Sequence, residues 1–236
     1  GDVDSNDITD ANGVVTTATN IQLDNAYHVV WMDGKTGAMD SLTHLDGFVI
    51  TGGQGSGTAS PYGTGAGIYC DGSNTGLCGP TIANVIFSGN QSGRAAAMYN
   101  NGYGNGSTAS PILTNVTFTG NTATLDGGAL FNGGGFRGKS SPTLTNVTFY
   151  SNTSATRGGA ICNIGSSGGD ASETLTNAIL WGNTAAQGDD QIGDSNAAST
   201  VNYSVVQGGW TGAGGSNSAE DPLFADAATG NLNLLP

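Results

Sequence analysis

Apolar residues in this chain come in short bursts separated by Gly, Asn, Ser and Thr. No burst sustains the ~3.6-residue period of a helix, because Gly or Asn interrupts every candidate. Bursts of this kind predict short strands joined by turns. In "TLTNVTF", Val147 and Phe149 keep the alternation of a strand, but Leu144 is out of phase with them. All three can face one way only if the chain bends at Asn146, and Asn tolerates the left-handed backbone such a bend needs.

The same burst recurs. "PTIANVIFSGN" from Pro80, "PILTNVTFTGN" from Pro111, "PTLTNVTFYSN" from Pro142 and "ETLTNAILWGN" from Glu173 align without gaps. Their first asparagines, Asn84, Asn115, Asn146 and Asn177, are each 31 residues apart. The second asparagines, Asn90, Asn121, Asn152 and Asn183, keep the same 31-residue period. A second motif follows in each unit: "AAMYN" to Asn100, "GGALFN" to Asn132 and "GGAICN" to Asn163, with "GAGIYCD" to Asp71 as an earlier variant. "LDGFVITGG" and "VNYSVVQGG" read as degenerate first and last copies, giving about six rungs.

A fixed period of short strands predicts an all-β chain coiled into a single right-handed parallel β-helix. Rungs stacked ~4.8 Å apart would give a core roughly 30 Å long. Residues 1–44 are expected to form an irregular N-terminal segment or first coil, 45–209 the repeats and 210–236 a C-terminal closing segment. Phe87, Phe118, Phe149 and Leu180 should stack in one internal column; Ile82, Leu113, Leu144 and Leu175 should form another. Asn84, Asn115, Asn146 and Asn177 should form an amide ladder that satisfies turn backbone groups otherwise buried unpaired.

"FSGN", "FTGN" and "FYSN" fit an F-x-x-N motif, and "GGAL" and "GGAI" fit G-G-A-[ILV]. Over roughly residues 45–209 these motifs resemble the repeats of the chlamydial polymorphic outer-membrane proteins, and more broadly the secreted bacterial β-helix proteins. The resemblance implies a cell-surface adhesin, a passenger domain or an extracellular-matrix component. Some β-helix relatives are polysaccharide lyases or hydrolases. "AAMYN" departs by losing the glycines, and "LWGN" by losing Phe. Both ends resemble segments that continue in such proteins, so a longer parent chain is expected.

Composition narrows the partners. Five Lys and Arg against 18 Asp and Glu give a net charge of −13, which argues against nucleic acid. No apolar run approaches the ~18 residues of a transmembrane segment, and the polar first residues are not a signal peptide. Of three cysteines, Cys70 and Cys78 either close a short disulfide loop or stay as free thiols.

Candidate chemistry is sparse. Asp2, Asp4, Asn6 and Asp10 place oxygen ligands in one acidic stretch, a pattern that suits Ca²⁺, although Asp7 and Gly13 break the EF-hand pattern. The plain alternative is a solvated acidic terminus. Asp189, Asp190 and Asp194 form a weaker cluster of the same kind. Arg94, Asp126 and Arg157 share a column that reads as an alternating charge ladder rather than a catalytic Arg. His28 and His44 have no Ser or Cys partner in the pattern. The outward Thr117 and Thr119 are not repeated on other rungs, which argues against an ice-binding array. Tyr150 and Trp181 fall on adjacent rungs, either as a carbohydrate-stacking platform or as an apolar patch buried by another segment or subunit.

These readings favour an extracellular or cell-surface structural or adhesive protein without catalysis. The expected partners are copies of itself, end to end or side by side, or a cell-surface polysaccharide. The alternatives are a polysaccharide-active lyase or hydrolase, or a carbohydrate-binding module. No cofactor is expected beyond the Ca²⁺ considered above.

Overall fold

The computed structural model describes residues 1–235 and is a parallel β-solenoid with three faces. The first face stacks six strands: Val30–Asp33, Ile68–Asp71, Met98–Asn101, Leu130–Gly135, Ile161–Ser166 and Ile192–Ser195. The second is built on Ile112–Thr119, Thr143–Tyr150 and Thr174–Trp181, with shorter strand pairs on either side. The third has four two-residue strands: Gln91–Ser92, Thr122–Ala123, Thr153–Ser154 and Thr184–Ala185. Only those four turns carry all three faces, so the solenoid has about four full turns rather than the expected six. The degenerate copies at each end add strands to the other faces. On the third face the first turn adds only a single bridge, Gln54 to Gln91.

The long strands explain the phase problem of "TLTNVTF". Thr143–Tyr150 runs as one strand with Leu144, Val147 and Phe149 all buried. Asn146 resets the phase with φ 55°, and Asn84, Asn115 and Asn177 do the same at 54°, 56° and 54°. The predicted columns form: Ile82, Leu113, Leu144 and Leu175 are fully buried. Phe87, Phe118 and Phe149 stack face to face with centroids 4.8 and 4.5 Å apart, and Leu180 continues the column.

Each repeat supplies three amide ladders, and the buried ones are not the one predicted. Asn84, Asn115, Asn146 and Asn177 do bond rung to rung, but on the exposed surface. They satisfy one another, not buried backbone groups. Their amides donate toward the N-terminal end, where Asn84 meets the Asp46 carboxylate at 2.8 Å. The buried ladder is Asn90, Asn121, Asn152 and Asn183, at most 2% exposed. There each Oδ1 accepts both the backbone N–H and the amide of the preceding Asn. Each amide also donates back to a carbonyl of the preceding rung, those of Ile50, Phe87, Phe118 and Phe149. Gln191 accepts the last amide at 2.8 Å. The third ladder, Asn100–Asn132–Asn163, ends on Asp194. Both buried ladders donate toward the C-terminal end, opposite to the exposed one.

This geometry accounts for F-x-x-N. The Phe points inward, and the next residue outward. Gly89, Gly120, Ser151 and Gly182 then turn the corner at φ 59°, 62°, 54° and 66°, and the Asn side chain enters the ladder. In G-G-A the first glycine, Gly127 or Gly158, is again left-handed. Ala95 fills that position in the departing copy "AAMYN" and is held at φ 51°, where a Cβ is strained.

Strand pairing adds detail at both ends of the repeats. Val30–Asp33, inside the segment read as irregular, pairs in parallel with Ile68–Asp71 as the first strand of its face. Asp71 aligns with Asn101, and Cys70 with Asn100, one residue off the motif alignment. In the closing segment Trp210 packs against the C-terminal end of the core. Cys70 and Cys78 are joined by a disulfide.

Removing the Asn152 side chain should strand the N–H and amide of Asn121 and the Phe118 carbonyl in the interior. The expected loss is about 3 kcal/mol for Asn152→Ala. Asn146→Gly, which keeps the left-handed bend and breaks only exposed bonds, should cost less than about 1 kcal/mol. Urea melts of both variants check the order; equal midpoints would show that the buried ladder is not the stabilising one.

Candidate functional site

The outer wall carries most of the chain's interacting side chains. Three of the chain's five cations, Lys35, Arg94 and Arg157, are paired with carboxylates of other rungs. Arg94 and Arg157 reach the same carboxylate, with Nε 3.1 and 3.8 Å from the two oxygens of Asp126. Thr156 donates to Asp126 as well. Lys35 lies 2.7 Å from the buried Asp71, which also accepts from Ser73 and Asn101. The expected column Arg94–Asp126–Arg157 is therefore an ion-pair ladder spanning three rungs.

The acidic stretches are tied to their own turns. Asp2 accepts the backbone N–H groups of Asp4, Ser5, Asn6 and Asp7. Asp4 takes the Asn6 amide, and Asp10 accepts from the N–H groups of Asn12 and Val14. Asp190 takes the Ala185 N–H at 2.7 Å, and Asp194 faces Ser199 and Asn163. Among the described residues, no group of three or more His, Cys, Asp or Glu side chains converges as metal ligands would.

Tyr150 and Trp181 are in register on adjacent rungs. They do not form an open platform. The strands Phe224–Asp226 and Asn231–Leu234 pair antiparallel and fold back onto this wall. Phe224 meets Tyr150 edge-on at 5.5 Å, and Leu223 and Leu235 help close a small cleft of about 250 Å³ around both aromatics. An N-terminal arm crosses the same wall lower down. Val15 is 1% exposed, and its carbonyl accepts from both Thr51 and Ser88 at 2.9 Å. A side chain at Gly89 would run into Val15, and one at Gly120 into Thr16.

On the first face, an aromatic column that the repeat alignment did not single out runs outward from the core. Trp31, Tyr69, Tyr99 and Phe131 follow one another at 5.3, 5.5 and 5.0 Å. Strand register carries the column on to Cys162, which is buried, so that its thiol is pushed up to about 12 by burial. His28 packs edge-on against Trp31 with Nδ1 2.9 Å from the Gly65 carbonyl, and burial lowers its pKa. His44 is exposed at the start of a first-turn strand.

A cleft of about 450 Å³ lies beside the first turn. It is lined by Leu23, Asp24, Asn25, Tyr27, Gln54 and Gln91, with Gly55 and Ser56. None of these residues stood out in the repeat pattern. The only available signal was the replacement of the later Thr column by Gln54 and Gln91.

One buried group is chemically out of place. Glu173 stands where the other repeats have Pro80, Pro111 and Pro142, and it is 1% exposed. Neither carboxyl oxygen has a hydrogen-bond partner of ordinary geometry. Ser199 and Asn163 lie near enough to favour the ionised form slightly, but their own bonds go to Asp194. Burial first, and then the neighbouring Asp194 charge, push the Glu173 pKa from an ordinary 4.5 up to about 8. Folding thus holds a proton that the unfolded chain releases above about 4.5, so stability falls as pH rises from there to about 8. The steepest slope should be about 1 kcal/mol per pH unit. Glu173→Gln should flatten that part of the profile and raise stability at alkaline pH. Melts of both proteins across the range decide; parallel profiles would mean that Glu173 is not the titrating group.

Two segments, residues 115–133 and 146–164, match the family model of the Chlamydia polymorphic membrane protein repeat. Each runs from an exposed ladder Asn through F-x-x-N and the left-handed Gly to the third ladder, so the matched motifs are the ones that build the corners. No curated protein and no solved structure matches the chain. The chain is a parallel β-solenoid whose two central turns are similar to that repeat.

Proposed function

We propose that this chain is a non-catalytic, cell-surface or extracellular scaffold of the adhesin type. Support comes from the matched repeat, whose family name places it among membrane proteins of Chlamydia. No described helix is long and apolar enough to cross a membrane. The observation that carries the non-catalytic reading is where the wall's charges go. Asp126 is held between two arginines, Asp71 by Lys35, and Asp194 by Ser199 and Asn163. A polysaccharide hydrolase needs an accessible acid and base side by side. Here the carboxyl tuned to hold a proton near neutral pH, Glu173, is sealed inside the solenoid.

Purified protein should release no unsaturated or reducing ends from pectate, alginate or neutral glucans, with or without Ca²⁺. Release that disappears in Arg94→Ala, Arg157→Ala or Asp190→Asn would overturn the non-catalytic reading. Labelling intact source cells with an antibody to the solenoid tests display; a signal only after permeabilisation would place the chain inside.

A further inference from the structure

The cleft beside the first turn has the chemistry of a sugar site. Its aromatic wall is Tyr27, 50% exposed and braced by Tyr62 with ring centroids 5.4 Å apart. A half-exposed ring fixed by a second ring offers a flat apolar face at little entropic cost. Carboxamides line the same cleft. Gln54 and Gln91 are bridge partners on successive turns, so two amides are presented one rung apart. The Gln54 oxygen already accepts the Asn25 N–H at 3.2 Å, so Gln54 offers its amide donors and Gln91 both donors and an acceptor, the combination that reads vicinal hydroxyl groups. Asp24 and Ser56 complete the polar lining.

One amide of the lining is buried and held in place. Asn25 is 8% exposed, and its amide nitrogen donates to Asp7 at 2.6 Å and to the Gly52 carbonyl at 2.8 Å. Those two acceptors fix the amide's orientation, because a flip would set oxygen against oxygen. Its Oδ1 is therefore left facing away from both, buried and without a donor. An unpaired buried acceptor costs about 1–3 kcal/mol.

The cleft also opens onto a track. Gln91 continues in register into Thr122, Thr153 and Thr184 along the third face, and all three threonines point outward. These neutral hydroxyls recur once per rung, at ~4.8 Å. One residue of an extended glycan advances by a similar distance. No Lys, Arg or His lines the cleft, while Asp24 and the net charge of −13 repel acidic sugars.

We propose that this cleft binds a neutral glycan, with one sugar ring stacked on Tyr27, its hydroxyls held by Gln54, Gln91 and Asp24, and the chain running up the Thr122–Thr184 track. This deepens the surface-scaffold reading by naming a ligand class, but it is tested on the purified chain, so it can fail without touching surface display.

Saturation-transfer NMR and calorimetry with cellohexaose, laminarihexaose, mannohexaose and chitohexaose, and with oligogalacturonate as the acidic control, test the proposal. At least one neutral oligosaccharide should bind and oligogalacturonate should not. Tyr27→Ala and Gln91→Ala should each weaken that binding about tenfold or more. Tyr203→Ala, which removes a ring that is 68% exposed and outside the cleft lining, should not. Far-UV circular dichroism and melting temperature of each variant must match the parent; should Gln91→Ala melt early, Gln91→Met replaces it, keeping the length of the side chain and removing its amide hydrogen bonds. Absence of binding to all four neutral probes would overturn the proposal, as would parental affinity in Tyr27→Ala or equal binding of the acidic control.

Discussion

At the corner after each long strand, the backbone N–H of the ladder Asn has no strand to pair with, and water cannot reach it. The Asn oxygen one rung further on takes that N–H together with the neighbouring amide. Everything else in the solenoid is conditional on this exchange. It requires successive corners to lie directly above one another, and that fixes the 31-residue spacing. With the corners aligned, the Phe rings must meet face to face and the long strands must pair in register. Were a rung to slip by one residue, three buried groups would lose their partners at every corner it touched.

The same constraint explains what could be read from the sequence. Residues facing the core announced themselves, because Leu144, Val147 and Phe149 are apolar in a chain that otherwise is not. The bend at Asn146 followed from their broken phase. Burial of the ladders could not be read the same way, since both Asn columns have one period and one residue type. What separates them is the residue before: Gly or Ser at a left-handed corner precedes Asn90, Asn121, Asn152 and Asn183, whereas Thr or Ala precedes the exposed set. Val30–Asp33 escaped notice because it carries no ladder Asn and owes its place to pairing with Ile68–Asp71.

Contacts between distant segments were the least legible. Tyr150 and Trp181 face outward, as strand alternation requires, but the hairpin that packs on them lies more than forty residues further along the chain. Its two strands, Phe224–Asp226 and Asn231–Leu234, have no counterpart in the repeats. The cleft at Tyr27 is similar: it exists because residues 23–27 fold back against Gln54 and Gln91, and no periodicity encodes that meeting. The contacts peculiar to this molecule lie where the repeat fails, in the arm, the hairpin and the first turn.

The opposed directions of the ladders bear on how long such a molecule can be. Each chain of amides ends on an acceptor that is not a ladder Asn: Asp46 at one end, Gln191 and Asp194 at the other. Those three residues act as terminators. A unit duplicated in the middle finds an Asn above and an Asn below and changes nothing for its neighbours. A unit lost from either end takes a terminator with it and leaves a row of amides donating to nothing. Gene duplication can therefore lengthen or shorten this solenoid freely from within, while its two ends are inherited as fixed parts.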